Sequence, residues 1–227
     1  MQKLTITKTW LAWLLALAGL MIMAEPIQAE DDLLPPQQLI KEVSDQIQRE
    51  LRRIDYKVDF KKAVEIVDKY IEPHVDFDRF AALVLGKYWR TATPEQRARF
   101  KQEFKTMLIR TYATAYGEYA DWEIRFKPIR DWNPKKKKVV VQTEFVQPGK
   151  QPAQVAFRMI RKGDEWKAYD VIIEGVDLVK NYRTTFTEEI AQTGSLDALI
   201  ERLAQRNREA LEKGPEASAL VKPVAGA

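Results

Sequence analysis

Apolar residues change their spacing twice along this chain, and the two switches divide it into helices, strands and helices again. Leu39, Ile40, Val43, Ile47, Leu51 and Ile54 recur every three or four residues, which predicts a helix over 37–53 behind an extended lead-in and Pro35-Pro36. Phe60, Ala63, Val64, Val67, Tyr70 and Ile71 predict a second over 59–72, stopped by Pro73. Phe77, Phe80, Ala81, Val84 and Leu85 predict a short third, closed by Gly86. Thr93-Pro94-Glu95-Gln96 is the strongest local start signal. Threonine can cap, proline suits the first helical position and Gln96 can reach back to complete a capping box. The helix behind it is expected to reach about Tyr119, through Phe100, Phe104, Met107, Leu108, Tyr112 and Ala115.

Spacing then falls to two. Trp122, Ile124 and Phe126 alternate with polar residues, as do Val139, Val141, Thr143 and Phe145 after Lys135–Lys138. Gln147-Pro148-Gly149-Lys150 reads as a turn into Val155, Phe157 and Met159, and Lys162-Gly163-Asp164 as a tight turn into 166–173. Helical spacing returns over 178–192, entered through Gly175 with Asp177 as a cap, and over 195–211. This order predicts an α+β fold: a twisted four-stranded antiparallel sheet packed against several amphipathic helices, a geometry that can leave an apolar cavity between the layers.

The N-terminus adds a location. Trp10–Ala24 is uncharged and follows Lys3 and Lys8. At about 15 residues it is shorter than the ~20 a membrane-spanning helix needs, and Pro26 follows, so 1–29 reads as a cleaved secretory signal. That leaves 30–213 as one domain and 214–227 as a disordered tail of small residues. The chain has no cysteine, which excludes a disulfide-stapled scaffold and a lipid-anchored cysteine, and suits a bacterial periplasm. A net charge of +4 is too small to imply nucleic acid.

No constellation for chemistry emerges. The nine glycines are scattered, whereas a phosphate loop needs them closely spaced. His74 is the single histidine, so a histidine-rich or thiolate metal site is excluded, and no acidic loop has calcium spacing. His74 reads as a surface histidine beside a helix end. Asp177 reads as a cap and Glu174 as solvated or paired with a lysine. Glu174 and Asp177 bracket Gly175 as a conceivable carboxylate pair, and Asp170, mid-strand among aromatics, is the first candidate for an acid–base enzyme. Lys135–Lys138 reads as a solvated turn and a charged strand start that blocks edge pairing, or as a docking patch for an anionic surface. Periodicity does not separate core packing from cavity lining among the aromatics Tyr88, Trp89, Tyr112, Tyr116, Tyr119, Phe157, Trp166, Tyr169 and Tyr182.

Ala82-Leu83-Val84-Leu85-Gly86-Lys87-Tyr88-Trp89 with Thr91–Gln96, and Trp166–Val176 with Asn181-Tyr182-Arg183 and Phe186, resemble the MlaC family of periplasmic phospholipid shuttles, and the likeness runs in order over about 35–210. Many members carry serine where this chain has Asp177, which leaves the fold intact and head-group preference open. The resemblance implies a periplasmic carrier that shuttles phospholipid between inner and outer membranes and maintains outer-membrane lipid asymmetry. It implies no enzyme activity and no cofactor beyond the cargo. It also implies two partners, an inner-membrane ABC transporter complex with an MCE-domain subunit and an outer-membrane lipoprotein–porin complex.

On this reading the lining is expected from Val84, Leu85, Phe104, Met107 and Leu108 of the helices, Val141, Phe157, Val171 and Ile173 of the sheet, and Val179. Tyr88, Trp89, Tyr169 and Tyr182 are expected at the mouth, where amphipathic rings suit a boundary between oil and water. The main rival is a periplasmic chaperone or adaptor holding apolar protein segments in the same groove. A small cavity enzyme using Asp170 is the other.

Overall fold

A computed structural model describes residues 33–55, 57–118 and 122–214, the side chains of 114–118 excepted. The expected signal segment 1–29 and the tail beyond Gly214 lie outside the described residues, as does Tyr119.

Seven helices and five strands are described. Helices α1 (Pro35–Leu51), α2 (Phe60–Ile71), α3 (Phe77–Leu85), α4 (Lys87–Thr91) and α5 (Pro94–Glu118) come first. Strands β1 (Glu123–Phe126), β2 (Lys138–Val146), β3 (Ala153–Lys162), β4 (Glu165–Ile173) and β5 (Val176–Asp177) follow, then α6 (Leu178–Thr193) and α7 (Leu196–Lys213). The capping box forms as its residues require: Thr93 Oγ1 accepts from the Gln96 N–H at 3.2 Å, and Gln96 Oε1 accepts from the Thr93 N–H at 3.0 Å. Asp177 caps α6 by accepting the Lys180 N–H at 2.8 Å.

The strands form an antiparallel meander in the order β1-β2-β3-β4-β5. The expected count of four strands is corrected to five. Glu174 and Gly175 both take positive φ, 48° and 78°, and this two-residue turn folds Val176 and Asp177 back onto Ile173 and Ile172.

Two apolar cores result. The larger gathers all the long helices except the start of α1, around stacked and edge-on rings: Phe104 lies 5.2 Å from Phe80, 5.6 Å from Phe100 and 5.7 Å from Tyr182. The smaller lies between the start of α1 and the sheet, where Leu33 and Ile40 meet Phe126, Val139, Val141, Met159 and Trp166. Buried Gln37 ties these layers together, its amide donating to the Lys127 carbonyl at 3.1 Å.

Candidate lipid-binding site

The strand register sets the helix-facing side of the sheet in rows. Val139, Met159 and Ala168 form the first, Val141, Phe157 and Val171 the second, and Thr143, Val155 and Ile173 the third; Phe145 and Ala153 follow. The first row is sealed throughout, with Met159 1% exposed. In the second row Val141 is fully buried while Phe157 and Val171 are only half-buried. In the third row Thr143 of β2 is still sealed, at 1% exposed, but Val155 and Ile173 are half-buried, and so are Phe145 and Ala153 beyond them, despite facing inward. An alternating strand whose inward side chains keep solvent contact has no layer closed over them. The interior therefore opens progressively toward the end of the sheet that carries Phe145 and Ile173, where Trp122 stands edge-on to Phe145 at 5.3 Å.

The residues expected at the site divide between the two cores. Val84, Leu85, Phe104, Met107, Leu108, Val179 and Tyr182 are all buried in the helical core, and Val171 and Ile173 pack against it. Val141 and Phe157 belong to the sheet core. Tyr88 and Trp89 stand half-buried at the α4–α5 junction, where Arg97 lies over the Trp89 ring and donates to its carbonyl at 2.9 Å. Tyr169 is apart from the rest. A bulge between β3 and β4 pairs Arg158 with Asp170 and Met159 with Ala168, leaving Tyr169 as the extra residue. Its ring lies against the Arg79 guanidinium at 4.7 Å, and it lines a cleft with Lys138, Val140 and Gln142.

The polar groups near the sheet serve structure. Arg158 bridges Asp170 and Asp177, joining β3, β4 and the start of α6. Asp170 also accepts the N–H groups of Val171 at 2.9 Å and Val179 at 3.1 Å. Burial raises its pKa against those bonds. Burial also pushes Asp177 upward, but the Lys180 N–H and Arg158 outweigh it and hold this carboxyl below its usual value. Glu174 accepts the Gln154 N–H rather than a lysine. His74 is half-buried at the end of a single helical turn, and burial lowers its pKa. Among the described residues no cluster of three histidine, cysteine or acidic side chains could hold a metal ion. No helix among them is long and apolar enough to cross a membrane.

Periodicity missed a buried polar group. Arg110 is 1% exposed and donates to Asn207 at 2.8 Å, while the Asn207 amide donates to the Glu103 carboxylate at 2.7 Å and to its carbonyl at 2.9 Å. Its neighbours Tyr112 and Tyr182 have phenols whose pKa burial raises.

Residues 41–205 match the family described as MlaC protein. The chain belongs to the MlaC family. It is 29% identical over 166 residues to the toluene tolerance protein ttg2D of Pseudomonas putida, covering 71% of this chain and 76% of that one. It is 26% identical over 144 residues to the intermembrane phospholipid transport system binding protein MlaC of Haemophilus influenzae, 62% of this chain and 66% of that one. A solved MlaC-like structure, the phospholipid-binding protein from Ralstonia solanacearum in complex with a phospholipid, superposes with a TM-score of 0.71 at 29% identity. The match covers 78% of this chain and 98% of that one.

Proposed function

We propose that this MlaC-family chain is a periplasmic phospholipid carrier that moves lipid between the inner and outer membranes and so maintains outer-membrane lipid asymmetry. The observation that carries the reading is the run of half-buried, inward-facing apolar residues on the sheet, in a fold that a related protein uses around a phospholipid. Phe157, Val171 and Ile173 form the sheet side of the lining, Met107, Leu108 and Val179 the helix side, and Tyr182 stands behind them.

The physics requires no catalyst. At about 0.8 kcal/mol per methylene, two acyl chains represent on the order of 20 kcal/mol of gross transfer free energy from oil to water. A carrier has only to replace that apolar environment and hand the chains on. Residues 1–29 would act as a cleaved export signal, 30–213 as the lipid-binding domain and 214–227 as a tail. The partners would be an inner-membrane ABC transporter complex with an MCE-domain subunit and an outer-membrane lipoprotein–porin complex, with energy supplied by the transporter. Phospholipid is the cargo, and no cofactor is needed.

The test is transfer. Donor vesicles carrying a fluorescent phospholipid and unlabelled acceptor vesicles are mixed with purified chain and separated by size. Label accumulating in acceptors in proportion to protein supports the proposal. Transfer no faster than in protein-free controls overturns it.

A further inference from the structure

The segment 127–138 carries six cations against Asp131 alone, so its charge exceeds the +4 of the entire chain. It folds against the strand positions of β2 that alternate with the buried Val139 and Val141, and encloses a cleft of about 560 Å³. Lys127, Arg130, Lys136 and Lys138 line this cleft, with Ile129 and Val140 as apolar surface. Two of the lysines are engaged: Lys127 pairs with Glu144 at 3.1 Å and Lys136 donates to the Asp131 carbonyl at 2.9 Å. The exposed Lys135, Lys137 and Lys138 have no ion-pair partner among the described residues; Lys138 lines the cleft, and Lys135 and Lys137 flank its lining residue Lys136 in the chain. Val140 is 46% exposed, one of two large hydrophobic residues so placed among the described residues.

We propose that this cleft is a docking surface for an acidic segment of a partner protein, with carboxylates flanking an aliphatic side chain. Complementary charge steers such a segment in, and a small apolar contact fixes its position. Two features favour a protein segment over a lipid bilayer. The surface is concave, which receives a protruding chain and not a flat sheet of head groups. Lys138 also begins β2 at the sealed end of the sheet, seven residues from Phe145, or roughly 24 Å along an antiparallel strand. A bilayer gripped there would hold the open rows away from lipid, whereas a protein segment leaves them free.

The test uses the full chain purified after export and two synthetic peptides of equal charge, one of glutamate and leucine, the other of glutamate and serine. Calorimetry at low salt is expected to give saturable one-site binding, several-fold tighter for the leucine peptide. The triple variant Lys135→Glu, Lys137→Glu, Lys138→Glu is expected to weaken it about tenfold or more. Val140→Asp is expected to abolish the preference for leucine. Circular dichroism and bound lipid are measured on each variant, so failure of docking is distinguished from failure of the carrier reading. Absence of saturable binding, equal affinity for the two peptides, or undiminished binding by the triple variant overturns the proposal. Binding to phosphatidylglycerol vesicles without binding to either peptide overturns it in favour of a bilayer.

Discussion

Phe157 and Val171 oppose each other across the β3–β4 ladder, yet Phe157 packs with the sheet core and Val171 with the helical core. The pair marks the seam between the two cores, and both residues are half-buried while their row neighbour Val141 is sealed. On the proposed function, a ligand entering at the Phe145–Ile173 end would reach this seam after the outer rows.

Bulk or charge at the seam should therefore exclude lipid without unfolding the chain. Val171→Trp or Phe157→Glu is expected to remove most bound phospholipid at a cost of about 1 kcal/mol in stability, because a half-exposed site tolerates change. Val141→Ala, in the sealed part of the same row, should do the reverse, costing about 1–3 kcal/mol with lipid content retained. Solvent extraction and urea unfolding on the same preparations separate the two effects.

Arg158 holds two carboxylates, and its removal should leave a pH signature. Arg158→Met strands Asp170, whose side chain is 2% exposed, as an unpaired buried acid. The expected loss at pH 7 is about 3 kcal/mol, the low end for a broken buried pair because Arg158 itself is one-third exposed. Arg158 lowers the Asp170 pKa against the raising effect of burial, so its loss lifts that pKa further and the variant gains more stability than the wild type as pH falls through it. Asp177 has a depressed pKa, so the stabilisation it gives the wild type is lost as pH falls through its folded pKa. Both trends narrow the gap between variant and wild type in acid. Denaturant titrations from pH 7 down to about pH 3, which reaches below the ordinary aspartate value, should show the deficit shrinking; a deficit that stays constant or grows rules out this role for Arg158.

Gly86 joins α3 to α4 at φ 55° and ψ −114°, a conformation that L side chains rarely adopt. An added Cβ would meet only Arg183 at 3.7 Å, an ordinary contact, so any penalty lies in the backbone. Gly86→Ala is expected to destabilise by about 1–3 kcal/mol in urea unfolding.

Local chemistry made most elements legible. The Thr93–Gln96 box, the Asp177 cap and the strand alternation all depend on neighbours a few residues away, and each forms where its residues demand. Features that depend on the whole fold were not legible. In α5, Met107, Leu108, Ile109, Arg110 and Thr111 are buried in succession because helices surround this segment, so a single apolar stripe understates its burial. Trp166 and Ala168 face inward at even positions, Val171 and Ile173 at odd ones, and the bulge that shifts the phase at Tyr169 leaves no mark in the alternation. Positive φ at Glu174 is equally silent, since that backbone state is uncommon for a residue with a side chain. The candidate lining was legible as a set of apolar faces, but which of them keep solvent contact depends on how far α1 extends over the sheet.

The opening between sheet and helices is expected to hold phospholipid. Chain purified in its native buffer without added lipid is denatured, extracted with organic solvent and analysed by mass spectrometry against an internal phospholipid standard. Close to one phospholipid per chain is expected, lost in Val171→Trp. Folded protein that carries no phospholipid, and takes none up from vesicles, rules that occupancy out.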